Sequence, residues 1–163
     1  MRVTEVRALH FTMAAALGLL LTGCGSGGPV RRISEPAASL QQLTVRADGR
    51  WDVEVRLNNY SSVPMRFAST NISIAFDNGA AATVQVQPQI AIGPESADVF
   101  TATVSPLPAG RARIATALAD GRGLNYNLGG TVEAGPEDGT SRTYKIKLGS
   151  ALTPVPGLPG VLR

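Results

Sequence analysis

Histidine and cysteine each occur once in the 163 residues, at His10 and Cys24. Beyond Cys24 there is neither an imidazole nor a thiol. Zinc, copper and haem sites built on His or Cys are excluded there, together with Ser-His-Asp and Cys-His nucleophile systems. No Lys/Arg cluster is longer than Arg31-Arg32, so nucleic acid is not an expected partner. A long hydrophobic run is missing as well. The longest apolar stretch, Phe11 to Leu21, is too short for a membrane span. It follows a segment carrying Arg2 and Arg7 and ends in small residues, which is the layout of a secretory signal.

That signal closes on Leu21-Thr22-Gly23-Cys24. The pattern resembles the bacterial lipobox, an aliphatic residue, a small residue or Thr, Gly and Cys. The resemblance implies that the Cys24 thiol receives a diacylglyceryl group, that residues 1–23 (the signal helix) are removed, and that the new amino terminus is acylated. Two or three acyl chains on one residue hold a protein on a bilayer without a spanning helix, since each buried methylene contributes about 0.8 kcal/mol. Gly25 stands where an Asp would, in the sorting rule of such lipoproteins, favour the inner membrane. The expected place is the outer membrane, facing the periplasm. Without Arg2, Arg7 and Glu5, thirteen basic side chains stand against eleven acidic ones, a modest charge.

Residues 24–39 read as a flexible tether, rich in Gly, Ser and Pro, with Arg31-Arg32 facing lipid headgroups weakly. From there to residue 149 the pattern has period two. Leu43 and Val45 alternate with polar neighbours, Asp48-Gly49 makes a hairpin turn, and Trp51, Val53, Val55 and Leu57 share one face. Trp51 is expected to plug the core. Further strands carry Ile72, Ile74 and Phe76; Val84 and Val86, ended or placed at an edge by Pro88; Phe100, Ala102 and Val104; Leu124, Tyr126 and Leu128; and Tyr144, Ile146 and Leu148, with Lys145 and Lys147 in water. Arg111 to Ala119 fits a strand or a helix, and Gly129-Gly130 is expected to mark a bulge. Residues 150–163, with three prolines, are expected to be extended or disordered. The expected fold is all-β, an antiparallel sandwich of seven or eight strands over residues 40–149.

The run from Trp51 to Phe67, followed by Ile72 to Gly79 and later by Tyr126-Asn-Leu-Gly129, resembles the group-two late-embryogenesis-abundant family, also called the water-stress and hypersensitive-response (WHy) domain. The resemblance covers roughly Leu43 to Leu148. Its Asn-Pro-Asn motif is represented by Asn58 alone, because Asn59 and Tyr60 occupy the other two positions. The resemblance implies a fibronectin-like sandwich, no enzymatic activity, no cofactor, and an association with water stress and envelope protection.

Three constellations invite chemistry and have simpler explanations. Gly121, Gly123, Gly129 and Gly130 lack the strand-loop-helix setting of a phosphate loop and read as turn glycines. Glu133, Glu137 and Asp138 lack EF-hand spacing and read as a solvated turn. Tyr126 between Asn125 and Asn127 reads as a buried ring flanked by exposed amides rather than a sugar site. The expected function is that of a lipid-anchored, non-catalytic stress-protection or interaction domain. The alternative is an accessory subunit of outer-membrane assembly, secretion or lipid-transport machinery that docks on a protein partner through a sheet edge. A carboxylate-only enzyme has the least support, and no metal is expected.

Overall fold

Alternate side chains from Trp51 to Asn59 are buried, and the strand they form is hydrogen-bonded on both sides. A computed structural model describes residues 31–163 of the chain. Its elements are β1 (Ala37–Val45), β2 (Trp51–Asn59), β3 (Met65–Phe76), β4 (Gly79–Val86), β5 (Ile90–Ile92), β6 (Ser96–Val104), α1 (Pro108–Asp120), β7 (Leu124–Pro136), β8 (Arg142–Leu152) and β9 (Val161–Leu162). They make two antiparallel sheets, one of four strands in the order β6-β2-β1-β9 and one of five in the order β4-β3-β7-β8 with β5 also on β3. The protein is therefore mostly β, a sandwich of two antiparallel sheets, as the alternation predicts.

The β1–β2 hairpin turns at Asp48-Gly49, where Gly49 takes φ +78° and its N–H donates to the Arg46 carbonyl at 3.0 Å. β2 then runs against β6 without a break from Trp51↔Val104 to Asn59↔Ser96. Pro88 ends β4, and β5 continues along the same edge of β3, pairing Met65 to Phe67. Trp51, Val53, Val55 and Leu57 point into the core against Phe67, Ile72, Ile74, Phe76, Leu128 and Val132 of the other sheet. The Trp51 ring lies 5.9 Å from that of Phe76, so the tryptophan plugs the core.

Three expectations from the sequence need correction, and one open alternative is decided. Eight strands, β1 to β8, occupy the stretch expected to hold seven or eight, and β9 lies beyond it. Arg111 to Ala119, which fits either a strand or a helix, is helical. Pro108 opens α1 where no intrahelical N–H is needed, and Gly121 at φ +63° closes it. The helix seats on a bulge in β4. There the extra residue Ala81 is buried, its carbonyl accepts the Leu107 N–H at 2.8 Å, and a Cβ on Gly110 would come within 2.8 Å of the Ala81 Cα.

Gly129-Gly130 is not a bulge, since β7 keeps continuous register there with both neighbours; the irregularities lie at Gln41, Ala68 and Ala81. Gly130 is required for another reason. At φ +142°, its Cβ would lie 2.1 Å from the Asn71 carbonyl oxygen. The segment expected as a tether is partly docked. Ala38 is buried in β1, and Arg32 and Ser34 bond to the β2–β3 turn through Ser61 and Ser62. The proline-rich tail is ordered too. β8 runs to Leu152, Leu162 is fully buried, β9 pairs with β1, and the Val155 N–H donates to the Val161 carbonyl at 2.9 Å.

Candidate functional site

Leu21, Thr22, Gly23 and Cys24 lie outside the described residues. Among the described residues no helix is long and apolar enough to cross a membrane. Arg31 and Arg32 are both engaged with the sandwich. Arg31 donates to both carboxylate oxygens of Asp138, while Arg32 donates to Glu95 at 2.7 Å and to the Tyr60 carbonyl at 3.1 Å. Hydrogen bonds from Arg31 hold the Asp138 carboxyl below the usual carboxylate range, against the opposing effect of desolvation.

The three carboxylates of the β7–β8 region do not converge on one point. Glu133 accepts the Ser69 hydroxyl at 3.1 Å, Glu137 accepts Arg66 at 3.4 Å, and Asp138 is taken by Arg31. Among the described residues no group of three acidic, His or Cys side chains is placed to hold a metal ion. Tyr126 is 2% exposed and its hydroxyl accepts the Leu40 N–H at 3.2 Å, which removes the ring from any surface site.

Within the partial match to Asn-Pro-Asn, the residue that matters structurally is Asn59 rather than Asn58. Asn59 is 1% exposed at the crossing from one sheet to the other. Its amide nitrogen lies 2.8, 2.9 and 3.1 Å from the carbonyls of Gly93, Val63 and Ile92, and its amide oxygen accepts the Ser61 N–H at 2.9 Å. A single side chain thus ties the end of β2 to the turn after it and to β5. Asn58 is half-buried, and its amide oxygen accepts an Arg56 N–H at 3.4 Å.

The outer face of the five-stranded sheet carries polar side chains with unspent hydrogen-bonding capacity. Registers place Thr83, Ser73, Gly129 and Lys147 in one row across β4, β3, β7 and β8, and Gln85, Asn71, Thr131 and Lys145 in the next. Period two explains the rows. The inward positions of these strands carry the core, leaving Ser, Thr, Asn, Gln and Lys outward. Two open depressions lie along this face and share Thr131. One, of about 960 Å³, has a floor at Gly129, Gly130 and Gly149, where no side chain fills the space, and walls that include Ser73, Asn127, Lys145 and Lys147. The other, of about 520 Å³, runs past Asn71 and Gln85 to Glu133.

Lys145 and Lys147 are the only lysines in the chain. Seven arginines of the described residues pair with carboxylates, whereas neither lysine enters an ion pair there. No aromatic ring faces outward in these rows, since Phe67, Phe76 and Tyr126 of the same strands are buried. Such a face can hydrogen-bond and attract anions, and it offers no activated nucleophile. The two lysines were visible in the sequence as outward residues. Their alignment with Thr131, Asn71 and Gln85 was not, because those residues lie on strands far apart in the chain.

No protein-family model and no curated protein matches the sequence. Among solved structures, the chain is similar to a candidate late embryogenesis abundant (LEA) protein, at 12% identity and TM-score 0.49, over 98% of this chain and 89% of that one. It is also similar to a protein from Arabidopsis thaliana, at 9% identity and TM-score 0.48 over 77% of this chain and 81% of that one. A protein from Archaeoglobus fulgidus is similar at 14% identity and TM-score 0.43, over 76% of this chain and 98% of that one.

Proposed function

We propose that the chain is a lipid-anchored, non-catalytic protein of the cell envelope, of the WHy type, acting through the surface of its sandwich in stress protection or as an interaction domain. Cys24 is its point of anchoring, and the outer membrane facing the periplasm is its place. The observation that carries this reading is the distribution of reactive side chains. The one thiol ends an apolar run in Leu-Thr-Gly-Cys order, and all that follows it lacks both His and Cys. General acid–base or nucleophilic chemistry would have to use carboxylates, and Glu133, Glu137 and Asp138 are each held by a separate neighbour.

Cys24→Ser removes the sulfur nucleophile that receives the diacylglyceryl group. Labelled palmitate is expected to be absent from the variant, and the protein should leave the membrane fraction or persist as uncleaved precursor. A variant that is still cleaved and membrane-bound rejects the anchor. Deletion of the gene is expected to lower survival after drying or osmotic shock, with rescue requiring Cys24 and a folded sandwich. The triple variant Glu133→Gln, Glu137→Gln, Asp138→Asn should still rescue. Failure of that variant while folded and anchored would show that the carboxylates act specifically.

The accessory-subunit reading draws support from β8, an edge strand of eleven residues bonded to β7 on one side only. Stoichiometric co-purification of fixed partners, with an assembly defect on deletion and no stress phenotype, would establish it instead.

A further inference from the structure

The outer face of the five-stranded sheet carries two open depressions, one mainly polar and one floored by glycine with Ala75 and Leu148 beside the lysines. Asn71, Gln85, Asn127 and Thr131 present side-chain donors and acceptors for which the described residues supply no partner, while the neighbouring Ser73 hydroxyl already donates to the Gly129 carbonyl at 2.8 Å. A ligand that matches this face carries many hydroxyl groups, each able to donate and to accept. Nucleic acid would need stacking rings and a longer basic track.

Charge narrows the ligand further. Lys145 and Lys147 project from alternate positions of β8, about 7 Å apart along the strand, into the wall of the glycine-floored depression. Their charges are not neutralised within the sandwich, although most of its arginines are. Glu133 lies in the second depression, one row along β7 from the partner of Lys145, with its carboxylate held by the Ser69 hydroxyl. The face is thus positive at one side and hydroxyl-binding across its middle. Neutral sugars are commonly gripped by stacking on aromatic faces, and this surface has none among its outward residues.

We infer that the outer face of the β4-β3-β7-β8 sheet binds an acidic glycan, seating its anionic groups on Lys145 and Lys147 and its hydroxyls on Asn71, Gln85, Asn127 and Thr131. This site goes beyond the function proposed above and does not depend on the anchor, so either can fail without the other.

The test uses the full chain in detergent, titrated with hexagalacturonate and with its carboxyl-reduced, neutral counterpart. Calorimetry reads the affinity, and amide chemical shifts locate the site. The acidic oligomer is expected to bind, to perturb β7 and β8 between Asn127 and Thr131 and between Lys145 and Gly149, and to weaken as salt rises. Lys145→Gln with Lys147→Gln is expected to weaken it about tenfold or more, since each removes a charge pair worth about fivefold even in water. Arg56→Gln with Arg111→Gln, an equal charge change on other surfaces, should leave the affinity within about twofold. Asn71→Ala with Thr131→Ala should weaken the acidic oligomer while the amide spectrum elsewhere stays unchanged.

No detectable binding of hexagalacturonate would overturn the inference. Equal affinity for the neutral oligomer would do so as well, as would equal loss in the Arg56/Arg111 control or shifts confined to other surfaces. Capture by anionic lipid vesicles through the same lysines, with no affinity for the glycan, would replace it with a membrane-facing role.

Discussion

Val55→Asp is expected to unfold the sandwich. Val55 sits in the middle of β2, fully buried, with Leu40 of β1 on one side and Phe100 of β6 on the other. A carboxylate there meets no cation, since no charged side chain is buried in the core around it. Leaving a charge uncompensated in such a place costs about 3–5 kcal/mol. Domains of this size have only about 5–15 kcal/mol to lose. Denaturant unfolding should show a collapse of the midpoint, or circular dichroism should show no native sheet at all. Arg56→Asp supplies the control from the opposite face. Arg56 is exposed, and its change should cost only about half a kcal/mol. Equal losses at the two positions would show that β2 does not present the face described.

The second large effect is expected at Asn59. Asn59→Ala would strip hydrogen bonds from the carbonyls of Val63, Ile92 and Gly93 in a setting that water does not reach. Each buried group left unsatisfied costs about 1–3 kcal/mol, so a loss of about 3 kcal/mol or more follows. Asn59→Asp should be worse at neutral pH, since it turns a carboxylate toward three carbonyl oxygens. The introduced carboxyl would then ionise in the folded state at a higher pH than in the unfolded chain. Its folded form would bind the proton more readily, so the variant's stability should recover as the pH falls toward the ordinary carboxylate range. Asn58→Asp, one residue earlier and half-buried, should be milder by a wide margin. Hydrogen exchange at Ser61 and Ile92 should report the local opening. Similar losses at Asn58 and Asn59 would refute the role assigned to Asn59.

Several elements could be read directly from the chain because their causes are local. Alternation from Trp51 to Leu57 forces one face inward whatever the partner strand is, and the structure buries all four apolar residues of that set. The Asp48-Gly49 turn is equally local, since it needs only a residue free to take positive φ. So is the outward direction of Lys145 and Lys147, which follows from the inward direction of Ile146.

What the chain order could not decide is which surfaces meet. Arg111 to Ala119 has only Gly110, Ile114 and Ala117 buried around it, too few apolar positions to announce a helical stripe. Its helical state follows from seating on Ala81, a bulge that exists only once β4 has paired with β3. The tail has the proline content of a disordered segment. It is nevertheless ordered, because Leu162 finds a place in a core made by residues more than a hundred positions away. Asn59 looked like a departure from a motif, yet folding surrounds it with carbonyls from two other segments. The polar face has the same origin. Ser73, Thr131 and Lys145 each follow a rule of period two, which is local, but their alignment into one concave surface depends on β3, β7 and β8 lying side by side. Alternation determines which way a side chain points. Strand order determines what stands next to it, and strand order is settled by burying both inner faces against each other.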